Sequence, residues 1–394
     1  MDARGEQVYA RVAEQLAARA GALWDVASTL HGDPETAFEE ERAARLLTGH
    51  LEREGFAVQR GVAGLPTAFV AAAGDGGTPR VALLLEYDAL PGIGHACGHN
   101  LIAAAGLGAG LALYGAMPDL RGSLLVVGTP AEERGGGKLV MAEAGVFDGM
   151  DAALMFHPGV HNWSWAPLTA SVQVRVAFHG RSAHPTGNPA EGVDALAALI
   201  QFFNTLSVLG RRLPAGSHVQ GIVTEGGRAT NIVPEYAEGL FGLRGATTAA
   251  RDELADRLAA CAQGVAHATG TRAKVSTEDT GYEHFRDCAV LSARFTAHLA
   301  RAGMTASEPV PGVHLGSSDV GTVSGLLPTI HPFLAIMDAD GSDHTPQFAA
   351  AAAGPRAREV MLGAAHALAC TAADVLVDPE VAAAAWAEHR HREL

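Results

Sequence analysis

Val81-Ala82-Leu83-Leu84-Leu85 and Ser123-Leu124-Leu125-Val126-Val127 are two short, almost wholly apolar runs that indicate the fold class. A stretch with apolar residues at helical spacing follows each of them, Leu101–Leu113 after the first and Lys138–Ala144 after the second. Strands that are apolar on both faces and alternate with helices are typical of a largely parallel sheet covered on both sides. The neighbouring runs continue this pattern, with strands at Thr67–Ala73 and Ala152–Phe156 and helices at about 7–30 and 35–54.

The pattern changes in the middle of the chain. Ser171–Phe178 alternates between polar and apolar residues, as a strand with one wet face does. The runs after it complete the order β-α-β-β-α-β of a ferredoxin-like unit: a helix at about 194–209, strands at 218–224 and 236–244, a helix at about 251–268 and a strand at 272–277. The α/β pattern then resumes and ends in an Ala-rich helix around Met361–Thr371. We therefore predict a mixed, mostly parallel α/β domain of residues 1–168 and 283–394, with a ferredoxin-like domain inserted at 169–282.

Charge and composition exclude some classes of partner. The 394 residues carry a net charge of −15, and Lys and Arg nowhere form a dense run. Nucleic acid and anionic membranes are therefore not expected as partners, because both require a basic surface. The N-terminus has no apolar segment behind a basic start, and no window of membrane-spanning length is uninterruptedly apolar. These features predict a cytoplasmic protein, and four scattered cysteines do not form a disulfide framework.

The most specific motif is His95-Ala96-Cys97-Gly98-His99, which follows the run that ends in Asp88-Ala89-Leu90-Pro91-Gly92. A thiolate and an imidazole two residues apart, in a glycine-containing turn at the end of a parallel strand, can both face one metal ion. Taken alone, a structural cysteine with two loop histidines explains the motif nearly as well.

Two further strand ends carry ligand-type side chains. Glu132 and Glu133 follow Ser123–Val127, and His157 follows Ala152–Phe156. Two adjacent carboxylates in a crevice repel each other unless a cation neutralises one of them, although in a surface loop the same pair would be ordinary solvated charge. Because successive strands deliver these groups to the edge of the sheet where α/β proteins bind ligands, a metal site is the better explanation.

Six motifs in order carry a family resemblance: His-Ala-Cys-Gly-His, Pro-Ala-Glu-Glu, Phe-His-Pro, Gly-Arg-Ser-Ala-His-Pro, Asn-Ile-Val-Pro and His-Thr-Pro-Gln-Phe. In this the chain resembles the dinuclear metallopeptidase superfamily of aminoacylases, carboxypeptidases and hippurate hydrolases, and looks like its amidohydrolase branch. The stretches Leu85–Asn100, Gly316–Ser324 and His331–Phe348 are similar to the β-alanyl-dipeptide (β-Ala-Lys type) hydrolases and to the p-aminobenzoyl-glutamate hydrolase subunits.

The resemblance implies two divalent metal ions per subunit, with Glu132 as the catalytic base. The implied metal ligands are Cys97, His99, Glu133, His157 and His344. Thiolate and imidazole ligands favour Zn²⁺, whereas carboxylates and exchangeable sites permit Mn²⁺ or Co²⁺.

The resemblance also implies that the inserted domain is a lid and dimerisation domain of a homodimer. His184 would then reach a neighbouring subunit's active site, while Asn231 and Arg244 would help to hold the substrate. One departure is that Glu86-Tyr87-Asp88 stands where many relatives have His-x-Asp. The distribution of ligands between the two ions and the identity of the bridging ligand therefore stay open, and Asp88 is expected to orient a ligand.

The function expected from these residues is hydrolysis of the amide bond in small N-acyl amino acids or non-standard dipeptides with a free carboxylate. A p-aminobenzoyl-glutamate-type hydrolase and a general dipeptidase are the alternatives. A general aminopeptidase would need an acidic group for the substrate's amine, which no motif supplies. A metal-binding relative without catalysis is disfavoured because Glu132 is retained beside Glu133. The acyl group, the preferred side chain and the physiological metal are not determined by the sequence.

Overall fold

The computed structural model describes residues 3–278 and 280–391, which form two compact units. The first unit comprises the chain up to Ala166, Phe285–Val310 and the chain from Thr322 onward. The second comprises Pro167–His284 and Pro311–Gly321. The sequence pattern assigns 311–321 to the larger domain, but this segment belongs to the second unit because it hydrogen-bonds to that unit's first residues, with Leu315 N–H donating to the Pro167 carbonyl at 3.1 Å.

The secondary structure follows the chain in three parts. The part before the second unit contains α1 Ala3–Gly32, α2 Glu41–Arg53, β1 Ala57–Arg60, β2 Phe69–Gly74, β3 Arg80–Leu85, α3 His99–Ala116, β4 Ser123–Gly128, α4 Gly137–Glu143, β5 Ala152–Leu154 and β6 His157–Gly159. The next part contains β7 Ala170–His179, α5 Ala195–Gly210, β8 His218–Glu225, β9 Tyr236–Gly245, α6 Thr248–Thr269 and β10 Arg272–Thr277. The last part contains α7 Ala289–Arg301, α8 Val320–Leu326, β11 Thr329–Ile330, β12 Phe333–Ala335, α9 Pro346–Ala351, α10 Pro355–Val377 and α11 Pro379–His391.

The six-stranded sheet of the first unit has the order β1-β2-β4-β3-β5-β11. The four neighbouring strands β4, β3, β5 and β11 are parallel to one another. At the other edge, β2 pairs antiparallel with β4, and β1 pairs antiparallel with β2. A separate parallel pair joins β6 to β12. This architecture confirms the predicted mixed, largely parallel sheet.

Helix α3 lies at the centre of the first unit and is buried along almost its whole length. It packs against the sheet and against α1 and α10. Two of its glycines permit this close approach: a Cβ at Gly106 would lie 2.6 Å from a methyl of Leu85, and one at Gly110 would lie 2.6 Å from a methyl of Val126. The helix begins at His99, so its position determines where that side chain lies.

Helix α2 begins later than the predicted start near residue 35. Phe38 has a left-handed backbone with φ of 66°, which interrupts a helix. The Glu35 carboxylate instead caps α2, because it accepts hydrogen bonds from the N–H groups of Arg42 and Ala43 at 2.8 Å each. The apolar spacing of 35–54 therefore includes a loop that precedes the helix.

The second unit is an antiparallel sheet with strand order β10-β7-β9-β8, packed against α5 and α6. Its core contains aromatic and aliphatic side chains from both layers, including Phe178, Phe202, Phe241 and Leu258. The element order and strand order are those of a ferredoxin-like unit, as the alternating pattern predicts.

Helix α10 has the length and apolar composition to cross a membrane. However, 83% of its most apolar window is buried inside the protein, as in the core helix of a globular domain. It includes the Ala-rich segment predicted around 361–371.

Candidate metal centre

The turn before α3 presents Cys97 and His99 on either side of a glycine that the geometry requires. Gly98 has a left-handed backbone with φ of 79°, and a Cβ there would lie 2.5 Å from the ring of Pro158. His99 Nδ1 lies 2.9 Å from the Asp88 carbonyl and 3.0 Å from Asp88 Oδ1, so this nitrogen carries the proton and donates. His99 Nε2 is thereby left as the atom that can bind a metal ion.

Glu132 and Glu133 lie in the turn that follows β4. The backbone N–H of Glu133 donates to Asp88 Oδ2 at 2.9 Å, so Asp88 contacts both the turn before α3 and the turn after β4. Glu132 Oε2 lies 3.9 Å and Glu133 Oε1 4.0 Å from His99 Nε2. Both carboxylates therefore face the same ring nitrogen.

His157 is the first residue of β6. Its Nδ1 lies 2.7 Å from the Pro158 carbonyl and must donate to it, which leaves Nε2 facing Cys97 Sγ at 3.5 Å. The ring also stacks on Phe333 of the neighbouring strand, with centroids 4.7 Å apart. Burial lowers the pKa of His157 to about 4, so the imidazole is neutral, as a metal ligand must be.

His344 reaches the cluster from the turn before α9. Its backbone N–H donates to the Ala96 carbonyl at 2.9 Å, which attaches this turn to the Cys97 turn. Its Nε2 lies 3.6 Å from Glu133 Oε1. Unlike the other side chains of the cluster, the His344 side chain is half exposed, at 51%. The cluster is therefore open to solvent on this side.

The six side chains form three overlapping groups whose ligand-type atoms lie within 4.8 Å of one another. The groups are Cys97, His99 and His157; Cys97, Glu133 and His344; and His99, Glu132 and Glu133. Three residues each belong to two groups, so the structure brings every predicted ligand and the predicted base into one continuous cluster.

The residues of this cluster fit divalent cations on two observations. Among the described residues, His99 Nε2 and Glu133 Oε1 are buried without a hydrogen-bond partner, although each is a ligand-type atom that faces the cluster. Burial also raises the pKa of the Glu133 carboxyl, and raises that of the Cys97 thiol well above its ordinary range. A bound cation would lower both pKa values and hold both groups ionised.

A buried ion pair that the motifs do not identify lies beside the cluster. Glu86, at the end of β3, and Lys138, in α4, are both fully buried, and Lys138 Nζ donates to Glu86 Oε1. Burial would raise the pKa of Glu86, but Lys138 and His99 hold it below the ordinary value. Glu86 Oε2 lies 3.6 Å from His99 Nε2. A charged residue that directly follows an apolar strand was the available sequence signal for this pair.

His331 is buried against the cluster but packs as an aromatic ring. Its centroid lies 5.5 Å from that of His157 and 5.4 Å from that of Phe333, both in edge-to-face arrangements. Burial lowers its pKa well below the ordinary value, so the ring is neutral. Burial likewise lowers the pKa of His95 to about 3. The edge-to-face packing of His331 agrees with a structural interpretation of that residue.

The three remaining predicted residues, His184, Asn231 and Arg244, lie in the second unit. His184 Nδ1 accepts from the N–H of Gly187 at 3.0 Å, so the proton of the neutral ring is on Nε2. Arg244, on β9, donates to Ser317 Oγ at 2.7 Å.

His184 and Asn231 lie at one end of the second sheet, and Arg244 lies at the other. In the register of β7 with β9, His179 pairs with Tyr236 and Ser171 pairs with Arg244. His184 follows the His179 end of β7, and Arg244 lies eight residues along β9 from Tyr236 at that end. At about 3.3 Å per residue this separation is about 26 Å. Asn231 precedes β9 and lies toward the His184 end. The second unit therefore brings His184 and Asn231 to one end of its sheet and Arg244 to the other.

Comparison with known proteins agrees with this fold. Residues 169–269 match the family model of a peptidase dimerisation domain. The chain is 37% identical to the Xaa-Arg dipeptidase of Mus musculus over 386 residues, covering 93% of this chain and 87% of that protein. It is 33% identical to a p-aminobenzoyl-glutamate hydrolase subunit of Escherichia coli (strain K12), covering 68% and 60% of the two chains.

A solved structure shares the fold at lower identity. It is a Bacillus subtilis protein described as a dinuclear metal-binding peptidase of the M20 family, with a TM-score of 0.74 and 21% identity over 92% of this chain and 99% of that chain. Fold, site and relatives together define a metal-dependent hydrolase of amide or peptide bonds. The chain belongs to the M20 peptidase family, and the resemblance that its motifs indicate is confirmed.

Proposed function

We propose that this hydrolase cleaves the amide bond of small N-acyl amino acids or dipeptides that carry a free carboxylate. In this proposal two divalent metal ions are held by Cys97, His99, Glu133, His157 and His344. The observation that carries it is the set of three overlapping ligand groups, because they bring together more ligand-type side chains than the four that a single tetrahedral ion uses. Zn²⁺ suits the thiolate and the imidazoles, and Mn²⁺ or Co²⁺ suits the carboxylates.

Glu132 acts as the general base. Two bound ions would polarise the scissile carbonyl and make an attacking water more acidic. The Glu132 carboxylate lies at the edge of the cluster with its side chain 11% exposed, within reach of both the ligands and solvent water. It accepts the proton of the attacking water and donates it to the leaving nitrogen.

The substrate's carboxylate is the second part of the proposal. The names of the mouse and Escherichia coli relatives describe an amide bond to arginine and to glutamate, and a free carboxylate at the amino-acid end is common to both. A guanidinium such as that of Arg244 binds a carboxylate with two parallel hydrogen bonds. We therefore expect Arg244 to bind this group and Asn231 to contribute a further polar contact.

A homodimer explains the positions of these residues. Arg244 and His184 lie too far apart within one lid for a small substrate to contact both. A site completed by the lids of two subunits removes this difficulty. The exposed apolar side chains of α5 and of the edge strand β8, which include Ile200, Val208, Ile222 and Val223, supply a surface that a second copy would cover.

The test combines a base variant with a substrate panel. We expect Glu132→Gln to retain both metal ions but to lose about 10²–10⁴ in kcat, because the ligands remain while the proton acceptor is removed. Glu143→Gln, which changes an exposed carboxylate on α4, is the matched control. Metal content is measured by elemental analysis, and turnover is measured on Xaa-Arg dipeptides, p-aminobenzoyl-glutamate, β-alanyl dipeptides and N-acetyl amino acids.

Each substrate is compared with its carboxamide. We expect the carboxamides to react poorly with the wild type, and Arg244→Gln to raise KM for the free acids only. Near-normal turnover by metal-replete Glu132→Gln would rule out the assignment of the base. Equal rates for acids and carboxamides would rule out recognition of the carboxylate.

A further inference from the structure

His344 of the cluster is one non-glycine residue with left-handed backbone, and two others lie in or against the turn that carries Glu132. Phe38, before α2, has φ of 66°, and Ala131, directly before Glu132, has φ of 60°. Such a backbone costs about 1–3 kcal/mol and persists only where the surrounding structure holds it. The conformation of the turn that carries Glu132 therefore depends on contacts made from elsewhere.

One buried carboxylate contacts both of these residues. Glu40 Oε1 accepts hydrogen bonds from the N–H of Phe38 and from the N–H of Ala131, each at 2.9 Å. Its other oxygen accepts from the Thr67 hydroxyl at 2.9 Å. Glu40 is fully buried, so its carboxylate cannot rotate into solvent without breaking these bonds. It connects the segment before α2 to the turn that carries Glu132.

The Phe38 ring contacts the same loop at a second point. A Cβ at Gly135 would lie 2.5 Å from the Phe38 ring, so the ring packs directly on that glycine's backbone. Gly135 itself has φ of 98°. The loop is also closed internally, because Gly136 N–H donates to the Ala131 carbonyl at 3.0 Å. Phe38 is 43% exposed, so it contacts Gly135 from the surface and is not part of the buried core.

We propose that Glu40 is a positioning residue for the reaction: it holds the Ala131 turn in its left-handed conformation and so fixes the Glu132 carboxylate beside the metal ligands. Phe38 completes the contact by packing on Gly135. The inference rests on the proposed role of Glu132. It adds that the geometry of the base is set by a residue distant in the sequence. Glu40 precedes Ala131, whose N–H donates to it, by 91 positions.

The test compares Glu40→Ala with the conservative Glu40→Gln. The amide oxygen of Gln can accept from the N–H groups of Phe38 and Ala131, whereas Ala leaves both without an acceptor. We expect Glu40→Ala to lower kcat by about 10²-fold with little change in KM, because a misplacement of about 1 Å costs this much. Glu40→Gln should recover most of this loss. Phe38→Ala, at a partly exposed position, should give a smaller loss in kcat in a chain that folds normally.

The matched control is Asp75→Ala. Asp75 directly follows β2 and lies beside the start of β4, whereas the Ala131 turn follows the end of β4. Asp75 Oδ1 accepts from the N–H groups of Gly77 and Gly122 at 2.9 Å each, just before β4 begins. We expect this variant to lose stability but not kcat when assayed where it is folded. Hydrogen exchange of the peptide that covers 129–137, measured by mass spectrometry, is the readout that does not depend on turnover. It should accelerate in Glu40→Ala and Phe38→Ala and stay at the wild-type rate in Asp75→Ala.

The two readouts separate the possible failures. Unchanged exchange in the 129–137 peptide of Glu40→Ala would overturn the positioning role whatever the activity. Faster exchange with unchanged kcat would mean that Glu40 holds the turn but that Glu132 is not the base, a result that Glu132→Gln checks independently. A Glu40→Gln variant as impaired as Glu40→Ala would overturn the proposal in favour of a role for the charge.

Discussion

Cys97 supplies the sulfur atom that two of the three ligand groups share. We expect Cys97→Ser to weaken metal binding far more than folding, because a hydroxyl is a much poorer ligand for Zn²⁺ than a thiolate. Metal content after dialysis at low free metal, measured beside the circular dichroism spectrum, checks this. Cys288→Ser, at a buried cysteine outside the cluster, should keep full metal content. A metal-replete Cys97→Ser protein would make Cys97 a structural residue.

Glu40 gives the free energy of unfolding a predictable dependence on pH. Burial raises its pKa to about 7, and the Asp88 charge adds to this, whereas an unfolded glutamate titrates near 4.3. Between these values the folded protein keeps the proton that the unfolded chain has lost. The contribution of Glu40 is therefore fully present below about pH 4 and decreases as the pH rises to about 7.

Glu40→Gln should remove this dependence. We expect its free energy of unfolding, relative to the wild type, to rise by roughly 1–3 kcal/mol between pH 5 and pH 8. Denaturant titrations of both metal-free proteins at the two pH values measure the difference, in which the titration of the other groups cancels. Parallel pH profiles would show that Glu40 has an ordinary pKa.

At the scale of elements, the close approach of α3 to the sheet makes its glycines sensitive to substitution. We expect Gly106→Ala to destabilise the protein by about 1–3 kcal/mol, because the new Cβ would lie 2.6 Å from a Leu85 methyl in a packed core. Gly21→Ala, in α1, is the matched control. A Cβ at Gly21 would meet no neighbouring atom within 4 Å, so this variant should be neutral or stabilising. Chemical denaturation of the two variants checks this, and equal stabilities would mean that α3 can shift away from the sheet.

Most elements could be predicted because periodicity and length identify them locally. The apolar runs at β3 and β4 and the alternation at β7 all correspond to strands in the structure. The strands β6 and β12 are only three residues long, too short for a periodic pattern, and they exist because they pair with each other. The start of α2 was also missed, because Phe38 takes its conformation from a hydrogen bond to Glu40 and not from its own preference.

At the scale of the whole molecule, the role of His184 can be tested by mixing two inactive variants. His184→Ala chains and Glu132→Gln chains should exchange into heterodimers in which one site has both groups, if His184 reaches the partner's site. Its Nε2 carries the proton, so it can donate to a developing oxyanion. Random exchange places about half of the molecules in heterodimers, so about a quarter of the wild-type activity per chain should return.

Each variant alone, taken through the same exchange procedure, is the control. Differently tagged chains show by co-purification that exchange has occurred. Activity that stays absent after demonstrated exchange would mean that His184 serves its own subunit or takes no part in the reaction.

The sequence by itself determined which residue types follow which strands, and hence the fold class, the family and the candidate ligands. These properties are local, since a strand, a turn and a motif each lie within about ten residues. Only the tertiary structure decided which groups surround the ligands. Asp88 contacts both His99 and the Glu133 backbone, Lys138 neutralises Glu86, and Glu40 holds the Ala131 turn. These contacts join residues up to 91 positions apart, and a buried charge or a strained turn is stable only when folding brings its partner to it.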